Sequence, residues 1–270
     1  MHKNKNVGIG ILGALIGLVW LFPFYMILTN SFKTPKGIFA SVLSLPNPFT
    51  DVNYGDSFKA LNFISSLTNS LIITVCSVLL IILCSSMAAY ALQRNKSKLS
   101  GYLLLLFISA MLIPFQSVMI PLTANFGGVH MLNMYGLMFM YLGFDCSLSI
   151  FLYQGTLSSI PIAMDEAAEM EGASRWQIFH KVIFPMLSPM TVTVAILNII
   201  AIWNDYLLPS LVLPQIQYTI PLQMFNFFGE YTKQWHLALA GITLSIIPVI
   251  LFYLVAQKWI IKGVTDGAVK

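Results

Sequence analysis

The residues of this sequence that could do chemistry are concentrated in one stretch, DEAAEMEGASRWQIFHKVIFPMLSP, which we call the acidic segment (Asp165–Pro189). Four carboxylates stand within its first seven positions, although only 9% of the residues of the chain are charged. The four histidines and ten acids of the chain supply no nucleophile, base and oxyanion set in one loop. No GxxxxGK[ST] phosphate loop is present either. The chemistry that these residues offer is recognition of a partner, and the sequence does not predict an enzyme or a metal site.

The acidic segment has the marks of a helix start. Ser158, Ser159 and Pro161 precede it, and the acids that follow favour the positive N-terminal end of a helix. In one continuous helix, a stripe graded from small to bulky residues would comprise Ala168, Gly172, Trp176, Phe179 and Ile183. Alternatively, Gly172 divides the segment into two short helices at a turn.

Two surfaces could receive this segment. An amphipathic helix can lie on a bilayer, but the acids precede the bases and would be repelled by anionic headgroups. A basic protein surface is the better partner.

The remainder of the chain must position this segment, and its composition is that of a membrane protein. Of 270 residues, 57% are hydrophobic, the mean hydropathy is +0.80, and soluble domains carry far more charge. Since a spanning helix needs about 20 apolar residues, the charge-poor stretches predict six transmembrane helices, at roughly 7–30, 67–92, 101–122, 135–157, 182–203 and 237–261. The first stretch is too long for a signal peptide and is interpreted as an uncleaved anchor.

The basic residues predict the orientation. With both termini inside, ten lysines and arginines face the cytoplasm and four face outward, which follows the positive-inside rule. The acidic segment is then cytoplasmic. The predicted organisation is a first helix with an external loop (1–66), a five-helix core (67–261) containing a cytoplasmic loop (158–181), and a cytoplasmic tail (262–270).

A few polar residues stand inside or at the ends of the predicted helices. Asp145 is a candidate for a substrate pathway because an unpaired charge in lipid is costly, unless it lies near a helix break with a structural partner. Trp203, Asn204 and Asp205 end the fifth helix, where they could contribute to a substrate pathway or anchor the helix at the interface. Three cysteines lie in apolar stretches without metal spacing and are interpreted as buried thiols, namely Cys76, Cys84 and Cys146.

The spacing within the acidic segment resembles a known motif. Glu166-Ala167-Ala168, Gly172 and the run Val182–Pro185 are similar to the EAA loop of bacterial ABC importer permeases. The sequences AAYAL (88–92), WNDYLLP (203–209) and KGVTDGAVK (262–270) resemble the shorter permease of the maltose-type carbohydrate-uptake family. The resemblance extends from the second helix to the C-terminus. Phe184 stands where leucine is usual and Glu171 where aspartate is frequent.

The resemblance implies an all-α, N-in/C-in type I ABC importer permease fold in a bacterial inner membrane. The positions that match the motif, implied to couple to a cytoplasmic ATPase through a coupling helix, are Glu166, Ala167, Ala168, Gly172 and Pro185. It implies a second related permease, two ATPase subunits that use ATP and Mg²⁺, and an extracytoplasmic sugar-binding protein. The amphipathic stretch Gln223–Trp235 is a candidate contact for that protein.

Two other classes of function remain open at this point. A proton-coupled secondary transporter could use Asp145 as a relay, although paired interrupted helices in two halves of the chain are not evident. An integral membrane enzyme would need a catalytic cluster. A requirement for ATP distinguishes the importer from both.

Overall fold

The computed structural model describes residues 2–229 and 233–268, with side chains described at 10, 12–229, 233–254, 257 and 258. Over these residues the chain is helical, and its only β-type pairing is an isolated bridge between Phe228 and Lys233. This confirms the predicted all-α class. In chain order the described α-helices are α1 (His2–Ser31), α2 (Pro35–Ala40), α3 (Val52–Ala60), α4 (Phe63–Arg94), α5 (Lys98–Ala110), α6 (Phe115–Gly128), α7 (Met134–Leu157), α8 (Ala163–Met170), α9 (Arg175–Gln177), α10 (Phe184–Met186), α11 (Ser188–Asn204), α12 (Leu207–Val212), α13 (Ile220–Met224) and α14 (Trp235–Ala268).

Four of the described helices are each long and apolar enough to cross a membrane. They are Leu12–Ser31 within α1, the whole of α4 and α7, and Trp235–Leu254 within α14. Their mean hydropathies lie between 1.4 and 2.6. These helices correspond to the first, second, fourth and sixth predicted spans.

The third predicted span is not one helix. The structure breaks it into α5 and α6, which are bent by 101°. Pro114 precedes α6 with φ −68° and ψ 137°, since proline lacks an N–H and holds the preceding residue away from helical geometry. The N–H groups of Met111, Leu112 and Ile113 bond three residues back instead, which tightens the chain into a turn.

The fifth predicted span is also bent. Arg175–Met186 and α11 meet at 76°. Leu187 lies at the bend and donates its N–H to both Ile183 O and Phe184 O at 3.1 Å. If each bent pair is one span, the described residues hold up to six spans, the number that the sequence predicts.

Large apolar side chains dominate the exposed surface of α1. Val19 and Trp20 are 72% and 74% exposed. Side chains of this kind would be buried in a soluble protein, but a bilayer is itself an apolar solvent. The same reasoning corrects the interpretation of the cysteines, because Cys76 and Cys84 on α4 are exposed on the protein surface and only Cys146 is half-buried.

The chain divides into two compact units, Met1–Ile64 with Gln223–Phe252 and Ser65–Leu222 with Tyr253–Lys270. The second unit has two buried clusters. One centres on Ile81, Leu137 and Ile202, and the other on Tyr153 and Ile183. The first packs α4, α7 and α11 together. The second packs the same three helices against the acidic segment.

In the first unit, the loop that follows α1 is held by a buried lysine. Lys33 is 1% exposed, and its Nζ donates to Asn30 Oδ1 and to Ser41 O, both at 2.9 Å. Asn30 Nδ2 in turn donates to Val42 O at 2.8 Å. Burial lowers the pKa of Lys33 because it penalises the charged form. These bonds fix the polypeptide between α1 and α3.

Candidate functional site

The acidic segment folds as two short helical pieces separated by a turn at Gly172. Helix α8 ends at Met170, and Gly172 has φ +82°, a left-handed conformation that favours glycine. Gly172 N–H donates to Glu169 O at 2.9 Å and Ala173 N–H to Ala168 O at 3.0 Å, the pattern of a Schellman cap. The single continuous stripe is therefore wrong, and the alternative of a break at Gly172 is confirmed.

The second piece begins with a capping box. Ser174 Oγ accepts from Gln177 N–H at 3.4 Å, and Gln177 Oε1 accepts from Ser174 N–H at 2.8 Å. A π-helix from Ile178 to Ile183 follows. Trp176 stays exposed and stacks on His180 with ring centroids 5.7 Å apart. Phe179 and Ile183 point into the protein interior at 5% and 0% exposure.

The motif residues are divided between two faces. Glu166, Ala167, Gly172 and Pro185 are exposed, whereas Ala168 is half-buried and packs against the cluster around Tyr153. Ala168 therefore contacts the protein interior in part, whereas the other four motif residues face outward.

The first acid of the segment behaves differently from the other three. Asp165 is buried, whereas Glu166, Glu169 and Glu171 are exposed. Asp165 Oδ1 accepts from Tyr90 Oη–H at 2.6 Å, and its Oδ2 lies 2.8 Å from Arg94 Nη2. Sequence reasoning missed this pair, since it grouped the four acids together and counted Arg94 only among the ten cytoplasmic lysines and arginines.

A second group of polar side chains joins α7 to the C-terminal end of α11. Tyr141 Oη–H donates to Asp205 Oδ2 at 2.8 Å, and Asp205 Oδ1 accepts from Leu207 N–H at 2.9 Å. Asp145 lies one helical turn after Tyr141. Its carboxylate and the carboxylate of Asp205 repel each other. Among the described residues, the Asp145 carboxylate has no hydrogen-bond or ion-pair partner. Helix α7 is continuous there, so a helix break does not explain this residue.

The other two candidates at the end of α11 are less engaged. Trp203 is half-buried, and the exposed Asn204 donates only to Ile200 O in its own helix, at 2.8 Å. Of the candidate pathway residues, the structure thus relates Asp145 and Asp205 to each other and gives Trp203 and Asn204 no shared partner. Over the described residues, no group of three or more His, Cys, Asp or Glu is arranged to hold a metal ion.

The stretch Gln223–Trp235 is only partly described. It contains the end of α13, a 3₁₀ turn from Phe225 to Phe227 and an edge-on contact of Phe228 with Trp235 at 5.2 Å. Residues 230–232 lie outside the described residues. The predicted contact with a binding protein stays a prediction.

Comparison with protein families assigns the chain. A family model described as "Binding-protein-dependent transport system inner membrane component" matches residues 81–266, which include the acidic segment and most of the spans. The chain belongs to this family. It is therefore an inner-membrane component of a binding-protein-dependent ABC transport system, and the resemblance stated from the EAA spacing is confirmed.

Relatives of this membrane component align along nearly the whole chain. It is 52% identical to the probable starch degradation products transport system permease protein AmyC of Thermoanaerobacterium thermosulfurigenes, over 100% of this chain and 98% of that protein. It is 37% identical to the multiple sugar-binding transport system permease protein MsmG of Streptococcus mutans, over 94% of this chain and 93% of that protein.

A solved structure shares the fold of this membrane component. A chain in the crystal structure of a bacterial ABC transporter involved in the import of the acidic polysaccharide alginate aligns with a TM-score of 0.78 at 26% identity. The alignment covers 95% of this chain and 96% of that chain. The permease fold that the resemblance implies is thus confirmed.

Proposed function

We propose that this chain is the permease subunit of an ATP-driven importer that moves a sugar or oligosaccharide delivered by an extracytoplasmic binding protein. The names of the two relatives, which refer to starch degradation products and to multiple sugars, support the substrate class. The solved relative is part of a polysaccharide importer. In this proposal the chain pairs with a second, related permease, since the up to six spans of the described residues are few to enclose a sugar route.

The observation that carries the coupling role is the exposed face of α8 and its cap. Glu166 and Glu169 make no hydrogen bond or ion pair within the described residues, and Met170 is 89% exposed. A large apolar side chain flanked by unpaired carboxylates, at the end of a short helix, is suited to a basic groove in another protein. We assign that groove to a cytoplasmic ATPase subunit, of which the complex would contain two.

The chain binds no cofactor of its own in this proposal. Its sequence has no phosphate-binding loop, so ATP and Mg²⁺ belong to the ATPase subunits. Closure of those subunits would move α8, and the spans would switch between inward-open and outward-open arrangements.

We assign the substrate pathway to the region around Asp145, with Asp205, Trp203 and Asn204 as further candidates. A carboxylate without a partner in the spanning part of the described chain is a free acceptor for sugar hydroxyls. Asp205 has its two oxygens engaged by Tyr141 and Leu207, so it would shape the pathway more than bind sugar directly.

The test is uptake by proteoliposomes that contain the whole complex. Labelled maltotriose and raffinose would be offered with the binding protein outside and ATP inside, with and without a protonophore. Uptake that requires both ATP and the binding protein and is insensitive to the protonophore is the expected result. Uptake driven by a proton gradient without ATP would contradict the proposal and favour a secondary transporter.

A further inference from the structure

The C-terminal end of α4 is joined to the start of α8 by side-chain hydrogen bonds and an ion pair. Arg94, in the last turn of α4, lies within ion-pair distance of Asp165 and donates from Nη1 to Ile160 O at 3.2 Å. It therefore holds the chain on both sides of Pro161. One turn earlier on α4, Tyr90 donates to the other oxygen of Asp165. These contacts connect residues 66 to 75 positions apart in the sequence.

These contacts between α4 and α8 are shielded from water. The side chains of Arg94 and Asp165 are 16% and 12% exposed. The Tyr90 ring packs 5.4 Å from the Phe179 ring, and the Arg94 guanidinium lies 5.9 Å from the Tyr90 centroid. The Coulomb attraction within a shielded ion pair is stronger than within an exposed one, and removal of one partner leaves a desolvated charge. These side chains therefore tie α8 firmly to α4.

The covalent route from α8 to the following span is less direct. It passes through the exposed turn at Gly172, the π-helix and the 76° bend before α11 begins. Each of these elements can absorb part of a displacement of α8. In contrast, α4 is one uninterrupted helix of 32 residues, and Gln154 Nε2 of α7 donates to Ala89 O of α4 at 3.0 Å, directly beside Tyr90.

We propose that Arg94 and Tyr90 are positioning residues that make α4, and α7 bonded to it, follow the movement of α8, so that Asp165 joins ATPase motion to the spans. This inference rests on the proposed function. The exposed acids of α8 would face the ATPase, while the buried acid faces the membrane helices. One short helix thus carries charges for two different partners.

The experiment compares single variants in the reconstituted complex. Arg94→Gln and Asp165→Asn each remove one charge, and Tyr90→Phe removes only the hydroxyl and keeps the aromatic contact with Phe179. We expect these complexes to assemble and hydrolyse ATP, while the sugar transported per ATP falls by about tenfold for the charge variants and less for Tyr90→Phe. Lys96→Gln and Lys98→Gln alter exposed charges nearby and serve as controls for this ratio.

Two further measurements separate a positioning role from a merely structural one. Arg94→Lys retains the charge and should recover part of the transport-to-ATP ratio, although it cannot reproduce both contacts of the guanidinium. If the pair only stabilises the fold, the variants will lower the yield and the thermal midpoint, but the complex that remains will transport at the wild-type ratio. That outcome would overturn the inference.

The result for the wild-type complex distinguishes failure of the proposed function from failure of this inference. If it does not transport sugar with ATP, the proposed function fails and the inference fails with it. If the wild type transports and Tyr90→Phe, Arg94→Gln and Asp165→Asn all keep its ratio, only the inference is wrong.

Discussion

At the scale of single residues, Gly172 determines how the acidic segment presents itself. Its φ of +82° ends α8 and turns the chain toward Ser174, and a Cβ atom at this position would meet nothing within 4 Å. Space inside the chain therefore does not require glycine. The backbone conformation does.

Substitutions at Gly172 can therefore act in two separate ways, through backbone strain and through added bulk on the exposed side. Gly172→Ala should cost about 1–2 kcal/mol through the left-handed backbone, and Gly172→Asn less, because asparagine tolerates that conformation. Gly172→Trp adds bulk on the exposed side and should also block a docked ATPase. The measurements are the thermal midpoint of the chain and the fraction of ATPase that co-purifies.

A helical glycine serves as the matched control for these variants. Gly155 lies within α7, and a Cβ atom added there would likewise meet nothing within 4 Å, so Gly155→Ala should not destabilise the chain. Equal effects of alanine at positions 155 and 172 would contradict the role of the backbone.

Asp145 is the residue at which two transport classes give different results. If its carboxylate accepts hydroxyls from sugar, Asp145→Asn keeps one acceptor oxygen and should retain part of the uptake. Asp145→Leu should lose most of it, since a hydrogen bond to a charged group contributes roughly 1.5–3 kcal/mol. A proton relay would make the two variants equally inactive. Sugar uptake is measured alongside the ATPase rate, which should persist in both, and wild-type uptake by Asp145→Leu would exclude the residue from the pathway.

The sequence revealed single residues only where a local pattern marked them. The EAA spacing and the acid-rich start located the acidic segment, and the special role of Gly172 followed from its residue type. The partnership of Asp165 with Arg94 and Tyr90 depends on how α4 and α8 pack, and no periodicity within either segment contains that information. A buried acid and an exposed acid look alike in a sequence.

At the scale of helices, α7 and α11 are joined by three polar contacts along their length. They are Tyr141 to Asp205 at 2.8 Å, Asn198 to Ser149 at 3.2 Å and Tyr153 to Thr191 at 3.1 Å. Hydrogen bonds between membrane helices average about 0.6 kcal/mol each. At this size the three bonds together contribute about 2 kcal/mol, beside the apolar packing of the two helices.

Removal of these contacts one by one should therefore lower the free energy of unfolding in small steps. Tyr153→Phe or Asn198→Leu alone should lower the free energy of unfolding by less than about 2 kcal/mol, and the two together by approximately the sum. Denaturation in mixed micelles measures both. Phe139→Leu, at an exposed position of α7, is the control. A collapse of the fold in either single variant would show that the estimate for membrane helices does not apply here.

The prediction of one continuous helix at 101–122 was wrong because the proline in it had two possible outcomes. Pro114 stands within the apolar run 101–122, and proline in a membrane helix can produce either a kink or a full break. The 101° bend between α5 and α6 depends on packing around the turn, so composition alone favoured one helix. Among the uninterrupted spans, α4 and α7 contain no proline, whereas α1 and α14 remain continuous helices around Pro23 and Pro248.

At the scale of the whole molecule, the orientation in the membrane is a prediction from the lysines and arginines. Cysteines introduced by Asp51→Cys and Leu132→Cys should react with an impermeant thiol reagent on intact cells, because both positions lie on the predicted outside. Lys96→Cys and Lys98→Cys should react only after the membrane is permeabilised. All four side chains are exposed in the structure. Labelling of Lys96→Cys from outside would reverse the orientation, and the proposed division of the chain at 66 and 261 would need revision with it.

The surface cysteines of α4 make that experiment simpler than usual. Cys76 and Cys84 are exposed on the protein but lie in the middle of a span, where hydrocarbon or the proposed second permease would cover them. A maleimide reacts with the thiolate, which requires water around the sulfur. The two thiols of α4 should therefore be silent toward water-soluble thiol reagents in the intact bilayer. Cys146 adjoins Asp145 in the proposed pathway, so Cys146→Ser alone gives the background for this labelling, with both native thiols of α4 left in place.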